Sequence, residues 1–160
     1  MKGLQQGDTI RIISTARKIS PVEVLPAIQL LQQWGYRVET SKNLFEINHQ
    51  FAGTDQQRIE DLQEAIDTDH VKAILCARGG YGTVRIIDSI DFSSLYKQYK
   101  PIIGFSDVTV LHSHLTELNI SSVHATMPIL FNQKGNEEAL NSLKNSLLGV
   151  ENNYLSLIHI

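Results

Sequence analysis

The sequence KPIIGFSDVTVLH, residues 100–112, decides the fold prediction because two different patterns meet in it. The apolar run 101–105 is typical of a buried strand, and after Ser106 and Asp107 the apolar residues take helical spacing. This predicts a strand, a sharp turn and a helix. A serine at such a turn is lifted off the end of a sheet, and the N–H groups that begin the helix are free to face an anion.

Two interpretations of Ser106 follow from this turn. Nucleophilic serine hydrolases use the same geometry, called a nucleophile elbow, and Gly104 provides the backbone room that an elbow needs two residues before the serine. The usual second glycine, two residues after it, is replaced by Val108. In the other interpretation Ser106 is an ordinary helix N-cap, with Asp107 beside the positive end of the helix dipole. The turn alone leaves both open.

Strand and helix patterns alternate on either side of this stretch. Capping boxes, formed by Ser20 with Glu23 and by Thr54 with Gln57, mark two helix starts. The patterns predict strands over residues 8–13, 36–40, 71–77, 101–105 and 121–124, and helices over about 21–34, 54–66, 84–90, 108–118 and 136–147. Residues 92–100 are predicted as a loop.

This alternation predicts an α/β fold, an open and mostly parallel sheet with helices on both faces, of the flavodoxin or Rossmann type. In such sheets ligands bind at the carboxyl ends of the strands. Four loops are therefore expected at one edge, formed by residues 14–17, 78–82, 106–107 and 124–128. His124 ends a predicted strand at this edge, so it could line the site or be a structural histidine.

A glycine loop follows the third predicted strand. Gly79, Gly80 and Gly82 surround Tyr81 with little side-chain bulk, so the N–H groups of this loop can approach a phosphate, a carboxylate or an oxyanion. The spacing is not the dinucleotide-binding fingerprint, and a plain strand-to-helix turn remains the alternative. Arg78 stands where it could pair with a substrate carboxylate.

Composition excludes several classes of function. The 160 residues carry a formal net charge of −3 without a basic block, so nucleic acid is not an expected partner. No apolar run approaches the ~20 residues of a membrane span, and residues 1–8 do not resemble a signal peptide, so a cytoplasmic location is expected. The single Cys76 lies in an apolar run and is expected to be buried and inert. The six histidines lack metal-ligand spacing, and neither a metal nor a cofactor is expected.

Three segments together resemble a known family. FAGTD (residues 51–55), AILCARGGYG (residues 73–82) and IGFSDVT (residues 103–109, followed by Leu111 and His112) are similar to the L,D-carboxypeptidase family of serine peptidases, which also contains the microcin C immunity-type peptidases. The resemblance runs in order over roughly residues 3–148.

The resemblance implies an activity and a set of roles. Ser106 would be the nucleophile, and the N–H groups of Asp107 and of Gly80 or Gly79 would form the oxyanion hole. Arg78, Tyr81, Gly82 and His124 are expected to contact the substrate. The family's implied substrate is a murein tetrapeptide, cut at the bond to its terminal D-alanine during cell-wall recycling in the cytoplasm. Family members lead us to expect a homodimer of the full-length protein.

Two departures from the family pattern carry expectations of their own. His124-Ala125-Thr126-Met127-Pro128 stands where the family has His-Gly-Pro-Met, which could alter the shape of the pocket. Family members are about twice as long, and their triad glutamate and histidine lie in a C-terminal domain. We therefore expect residues 1–148 to be an N-terminal nucleophile domain and residues 149–160 to be the start of a linker or a non-native tail. The chain alone is expected to be nearly inactive.

Two alternatives remain at the level of sequence. In one, the chain is a binding module without catalysis that holds a phosphate or carboxylate ligand at the glycine loop and the helix start. In the other, His124 acts as a local base for Ser106, although no carboxylate is evidently placed to orient it.

Overall fold

The structure is a computed structural model that describes residues 3–152. Its strands are β1 (Thr9–Ile13), β2 (Arg37–Thr40), β3 (Val71–Cys76), β4 (Ile102–Gly104) and β5 (Val123–His124). Its α-helices are α1 (Pro21–Gln33), α2 (Asp55–Asp67), α3 (Ser94–Lys97), α4 (Thr109–Glu117) and α5 (Glu137–Leu148). Most of the tail predicted over 149–160, namely residues 153–160, lies outside the described residues.

The strands form one parallel sheet in the order β2-β1-β3-β4-β5. This is the flavodoxin-like order, in which the direction of winding reverses between β1 and β3. The carboxyl ends of all five strands consequently lie at one edge, and the loops after β1 and β3 meet at the reversal point. The predicted fold class is confirmed.

Alternate side chains of each central strand enter two separate cores. Ile10 and Ile12 of β1 face one side of the sheet and Ile13 faces the other, as the period of two in a strand requires. The first side is covered by α1 and α5, and the second by α2 and α4. Parallel strands that are buried on both faces need such a cover, so helices on both faces follow from the apolar strand sequences.

Both predicted capping boxes are present. The Glu23 carboxylate accepts hydrogen bonds from the Ser20 N–H at 2.8 Å and the Ser20 hydroxyl at 2.7 Å. The Thr54 N–H donates to Gln57 Oε1 at 2.8 Å, and Thr54 Oγ1 accepts from the Gln57 N–H at 3.2 Å. These bonds satisfy N–H groups that a helix start leaves without partners, so they determine where α1 and α2 begin.

Two predictions of local structure were wrong. The helix predicted over 84–90 is a pair of 3₁₀ turns, Thr83–Arg85 and Ile87–Ser89, because each N–H reaches back three residues, as from Ile86 to the Thr83 carbonyl. The loop predicted over 92–100 contains α3, held by a buried Leu95 and by a hydrogen bond from the Tyr96 hydroxyl to the Leu118 carbonyl. A helix of four residues is too short to show a helical period in the sequence.

Two further observations concern the described part of the chain alone. None of the helices within residues 3–152 is long and apolar enough to cross a membrane. The same residues contain no group of three or more histidine, cysteine, aspartate or glutamate side chains that could hold a metal ion.

Candidate active site

Ser106 lies at the carboxyl end of β4, where the chain turns sharply into a 3₁₀ turn, Ser106–Val108, and then into α4. Its φ is +62°, a left-handed conformation that serine rarely adopts, and its side chain is exposed. The Ser106 hydroxyl makes no hydrogen bond within residues 3–152. The N-cap position of the 3₁₀ turn is occupied by Phe105 and not by Ser106. Ser106 therefore does not cap the helix, which removes the simplest alternative interpretation.

Gly104 explains why the turn tolerates Val108 where an elbow usually has a second glycine. A Cβ atom added to Gly104 would lie 2.9 Å from Val108 Cγ2 and 3.0 Å from Val108 Cγ1. The absence of a side chain at Gly104 therefore makes room for the Val108 side chain.

The glycine loop after β3 packs directly against Ser106. A Cβ atom added to Gly79 would lie 2.9 Å from Ser106 Cβ, 3.0 Å from Ser106 Oγ and 3.3 Å from the Asp107 nitrogen. Gly80 has a φ of +118°. The N–H groups of Gly79, Gly80 and Asp107 donate no hydrogen bond within the described residues. Three free donors thus lie in the two loops that meet beside the Ser106 hydroxyl, the type of arrangement that an oxyanion requires.

The Asp107 side chain connects the turn after β4 to the glycine loop after β3. Its Oδ2 accepts a hydrogen bond from the Thr83 N–H at 2.9 Å, and the Thr83 hydroxyl in turn shares a buried hydrogen bond of 2.9 Å with the Thr15 hydroxyl. The loops that follow β1, β3 and β4 are therefore connected by side chains. Cys76 lies behind this network and is buried as expected, and burial raises the pKa of its thiol to about 12, which disfavours the reactive thiolate.

The FAGTD segment supports the glycine loop from the opposite side. The Phe51 ring contacts the Tyr81 ring, with 6.2 Å between centroids, and lies under the guanidinium groups of Arg58 and Arg85. Asp55 pairs with both arginines, and the hydrogen bonds from Arg85 are the largest cause of the lowered pKa of its carboxyl. Tyr81 remains 49% exposed at the tip of the loop, so its ring is accessible to a ligand.

Two histidines lie beside β4. His112 Nε2 is 2.9 Å from the Gly104 carbonyl oxygen and His112 Nδ1 is 2.8 Å from Ser122 Oγ; burial lowers the pKa of this imidazole. His124 is exposed and lies against the rings of Phe105 and His112, in the wall of a largely apolar cavity of about 650 Å³. No histidine within residues 3–152 hydrogen-bonds to Ser106.

Arg78 is half-buried, and its Nη1 donates a hydrogen bond to the Lys18 carbonyl at 3.1 Å. It lines a smaller cavity of about 430 Å³ together with Arg17 and Lys18. The loop that contains Arg17 was expected at this edge, but neither Arg17 nor Lys18 was a predicted site residue, because no local pattern assigns a role to either side chain. The structure thus brings every predicted site residue to the same sheet edge, with His124 on the far side of Ser106 from the β1 and β3 loops.

A comparison with protein families identifies the family of this chain. Residues 10–125 match the family described as the LD-carboxypeptidase N-terminal domain, Peptidase_S66. The chain belongs to this family. The resemblance inferred from the three sequence segments is therefore confirmed.

Curated relatives share the family and extend well beyond this chain. The "Probable murein peptide carboxypeptidase" of Bacillus subtilis is 41% identical over 112 residues, which are 70% of this chain and 35% of that protein. The "Murein tetrapeptide carboxypeptidase" of Pseudomonas aeruginosa is 29% identical over 116 residues, 72% of this chain and 38% of that protein. The chain thus spans little more than a third of the length of these two relatives.

Solved structures of the family have the same fold. An MccF-like protein from Bacillus anthracis superposes with a TM-score of 0.84 at 27% identity, over 91% of this chain and 46% of that one. A muramoyltetrapeptide carboxypeptidase from Oxalobacter formigenes superposes with a TM-score of 0.78 at 27% identity, over 86% of this chain and 47% of that one. The likeness supports the same α/β architecture for the family's first half.

Proposed function

We propose that this chain is the nucleophile domain of a serine carboxypeptidase that hydrolyses the amide bond to the terminal D-alanine of a murein tetrapeptide. One observation carries the proposal: an exposed Ser106, held at a φ of +62°, adjoins three backbone N–H groups that have no partner in the described part of the chain. Strained backbone at an exposed nucleophile is typical of an active site. The names of the relatives support the substrate class.

In the proposed mechanism Ser106 Oγ attacks the carbonyl carbon of the scissile amide, and the hydroxyl proton passes to a general base. The carbonyl oxygen becomes an oxyanion that accepts hydrogen bonds from the Asp107 N–H and from the N–H of Gly80 or Gly79. The C–N bond then breaks, and the nitrogen leaves as the amine of D-alanine after it takes up the proton. Water hydrolyses the resulting ester and restores the serine.

The general base is proposed to come from outside residues 3–152. Within that range no histidine hydrogen-bonds to Ser106, and the relatives continue for about as many residues again or more. A glutamate and a histidine from a second domain would complete the triad. Loss of a triad lowers turnover by about four to six orders of magnitude, so residues 1–160 alone would be nearly inactive.

The remaining roles extend the same proposal. Arg78, Tyr81 and Gly82 would contact the substrate on one side of Ser106, and His124 would do so on the other. The activity would serve murein recycling in the cytoplasm, without a metal, a cofactor, nucleic acid or a membrane as partner. The full-length protein would be a homodimer.

The test uses an uncharged, serine-reactive fluorophosphonate. It is applied to this chain and to a chimaera in which residues 1–152 are joined to the second half of the B. subtilis relative. Ser106→Ala serves as the active-site variant and Ser113→Ala, an exposed serine of α4, as the matched control. The same proteins are then given a murein tetrapeptide, and release of D-alanine is measured.

We expect the chimaera to be labelled at Ser106 and to release D-alanine, with both signals lost in Ser106→Ala and kept in Ser113→Ala. The chain alone should label far more slowly. A folded chimaera without labelling would contradict the nucleophile assignment. If the chain alone released D-alanine as fast as the chimaera, that would contradict the proposed external base.

A second candidate function is a binding module without catalysis. The cavity lined by Arg17, Lys18 and Arg78 favours an anionic ligand, such as a phosphate or a carboxylate, whether or not Ser106 reacts. In that case affinity for the anion would survive Ser106→Ala while labelling stayed absent in every form.

A further inference from the structure

A cationic pocket lies beside the glycine loop. Five residues line its volume of about 430 Å³: Arg17, Lys18, His49, Gln50 and Arg78. Three of them carry a full positive charge and none is acidic, in a chain whose formal net charge is −3. The pocket lies where the loops after β1 and β3 meet, which is the winding reversal where flavodoxin-like sheets bind their ligands.

The three charges have no acidic partner. Within residues 3–152, Arg17 and Lys18 make no side-chain hydrogen bond or ion pair, and Arg78 donates only to the Lys18 carbonyl. Glu23 interacts electrostatically with Arg78, but the Glu23 carboxylate already accepts two hydrogen bonds from Ser20. Cations without acidic partners around one concavity attract an anion, because their neighbours do not neutralise them.

The backbone under these charges is fixed before any ligand binds. Arg17 forms an antiparallel bridge with Phe51, and the Lys18 N–H donates to the Gln50 carbonyl at 3.0 Å. The Ser14 hydroxyl donates to the Arg17 carbonyl at 2.9 Å. A site whose backbone is already ordered loses less conformational entropy on binding, so this pocket is preorganised.

The pocket shares a wall with the Ser106 site. A Cβ atom added to Gly80 would lie 2.6 Å from Arg17 Cδ, so the Arg17 stem packs on the glycine loop, and the adjacent Gly79 contacts Ser106. In a peptide, the terminal carboxylate of the last residue lies two bonds from the scissile nitrogen. Flexible arginine and lysine side chains next to the loop can reach a group so placed.

We infer that Arg17, Lys18 and Arg78 bind the terminal carboxylate of the residue that the enzyme releases. The inference rests on the proposed function and names the group that restricts cleavage to the end of the peptide. A peptide with a C-terminal amide, or one that continues beyond the scissile bond, has no anion for this pocket.

Binding can be measured without catalysis. The ¹⁵N-labelled 160-residue chain is titrated by NMR with N-acetyl-D-alanine, with N-acetyl-D-alaninamide and with inorganic phosphate at constant ionic strength. The variants are Arg78→Gln and Lys18→Gln, the latter because its side chain makes no contact that folding needs. Arg37→Gln is the matched control, since it removes an exposed arginine at the opposite, amino end of the sheet.

We expect the acid to bind about 10- to 100-fold more tightly than the amide, as hydrogen bonds to a charged group imply, and the amides of residues 17–18 and 78–80 to shift. Arg78→Gln and Lys18→Gln should each reduce this ratio, and Arg37→Gln should not. Equal affinity for acid and amide, or a ratio that survives both variants, would overturn the inference. Tighter binding of phosphate than of the acid would overturn the assignment to a carboxylate.

Failure of the proposed function is a separate result. Fluorophosphonate labelling of Ser106 in the chimaera requires no anion, so it tests the nucleophile independently of this pocket. If Ser106 is labelled but N-acetyl-D-alanine binds no better than its amide, only the carboxylate pocket is refuted. If the acid binds better but Ser106 is not labelled, the proposed peptidase is refuted and the anion site remains.

Discussion

Ser106 adopts a backbone conformation that any residue with a Cβ atom finds unfavourable. A left-handed φ costs a non-glycine residue about 1–2 kcal/mol. Here the strained residue is Ser106, the proposed nucleophile. Ser106→Gly should therefore be about 1 kcal/mol more stable than Ser106→Ala in urea denaturation. Ser113, an exposed residue in the interior of α4, is the control, and there alanine should be the more stable replacement. If alanine were the more stable replacement at both positions, Ser106 would not be strained.

Gly79 illustrates the opposite requirement, a residue that must lack a side chain. In Gly79→Ala the new methyl group would lie 2.9 Å from Ser106 Cβ, so Ser106 must move. We expect labelling of the chimaera to fall about 10- to 100-fold and stability to fall by roughly 1–3 kcal/mol. Gly135→Ala, where φ is +82° and no atom lies within 4 Å, should cost stability through backbone strain and leave labelling unchanged. Normal labelling in Gly79→Ala would contradict the contact.

At the scale of elements, Asp107 joins the turn after β4 to the loop after β3. Asp107→Ala removes the acceptor of the Thr83 N–H, and a buried donor left without a partner costs about 1–3 kcal/mol. We expect faster hydrogen exchange at the amides of residues 80–83, with partial recovery in Asp107→Asn, which keeps an acceptor oxygen. Asp88→Ala, an exposed aspartate of the next 3₁₀ turn, should leave these amides unchanged. Unaltered exchange in Asp107→Ala would contradict the role of this side chain.

His112 connects α4 to the ends of β4 and β5, and its burial makes the connection sensitive to pH. Because burial keeps the pKa of His112 in the folded state below its ordinary value, the unfolded chain binds the proton more readily. The stabilisation from His112 is therefore complete above about pH 6.5 and is lost as the pH falls through the lower, folded pKa. The free energy of unfolding should fall more steeply between pH 7 and pH 5 in the wild type than in His112→Gln.

Urea denaturation at several pH values measures this difference. His49→Gln removes an exposed histidine and controls for the loss of an imidazole from the chain. Parallel pH profiles for the wild type and His112→Gln would contradict the prediction.

The elements show where sequence reasoning succeeds. The five strands, the two capping boxes and the turn at Ser106 were predictable because each is encoded in neighbouring residues. The 3₁₀ turns after Gly82 were not, since the carboxylate that holds Thr83 belongs to Asp107, 24 positions away. The φ of Ser106 likewise depends on contacts that form only in the folded sheet. The parallel sheet predicted that the loops of Arg17 and Arg78 would meet, but not that these side chains would line one pocket.

At the scale of the whole molecule, several large apolar side chains are exposed within residues 3–152. Val22, Ile47, Tyr96 and Val150 are each more than half exposed, and the cavity beside His124 is largely apolar. We expect the apparent mass of the chain to rise above 18.0 kDa with concentration in light scattering, and the rise to persist in high salt because apolar contacts are not screened. A monomer at every concentration would contradict this, and loss of association in salt would indicate ionic contacts.

The position of β1 in the sheet affects how the chain is made. Ile13 is translated before one of its sheet partners, Cys76, which follows 63 positions later. At about 5–20 residues per second, the ribosome needs roughly 3–13 s to supply that partner. During this interval the β-branched run of β1 can pair with β2 alone, and its other edge is open to any extended chain nearby. The strand that becomes a centre of the finished sheet thus has, in the nascent protein, one open edge until residue 76 has been made.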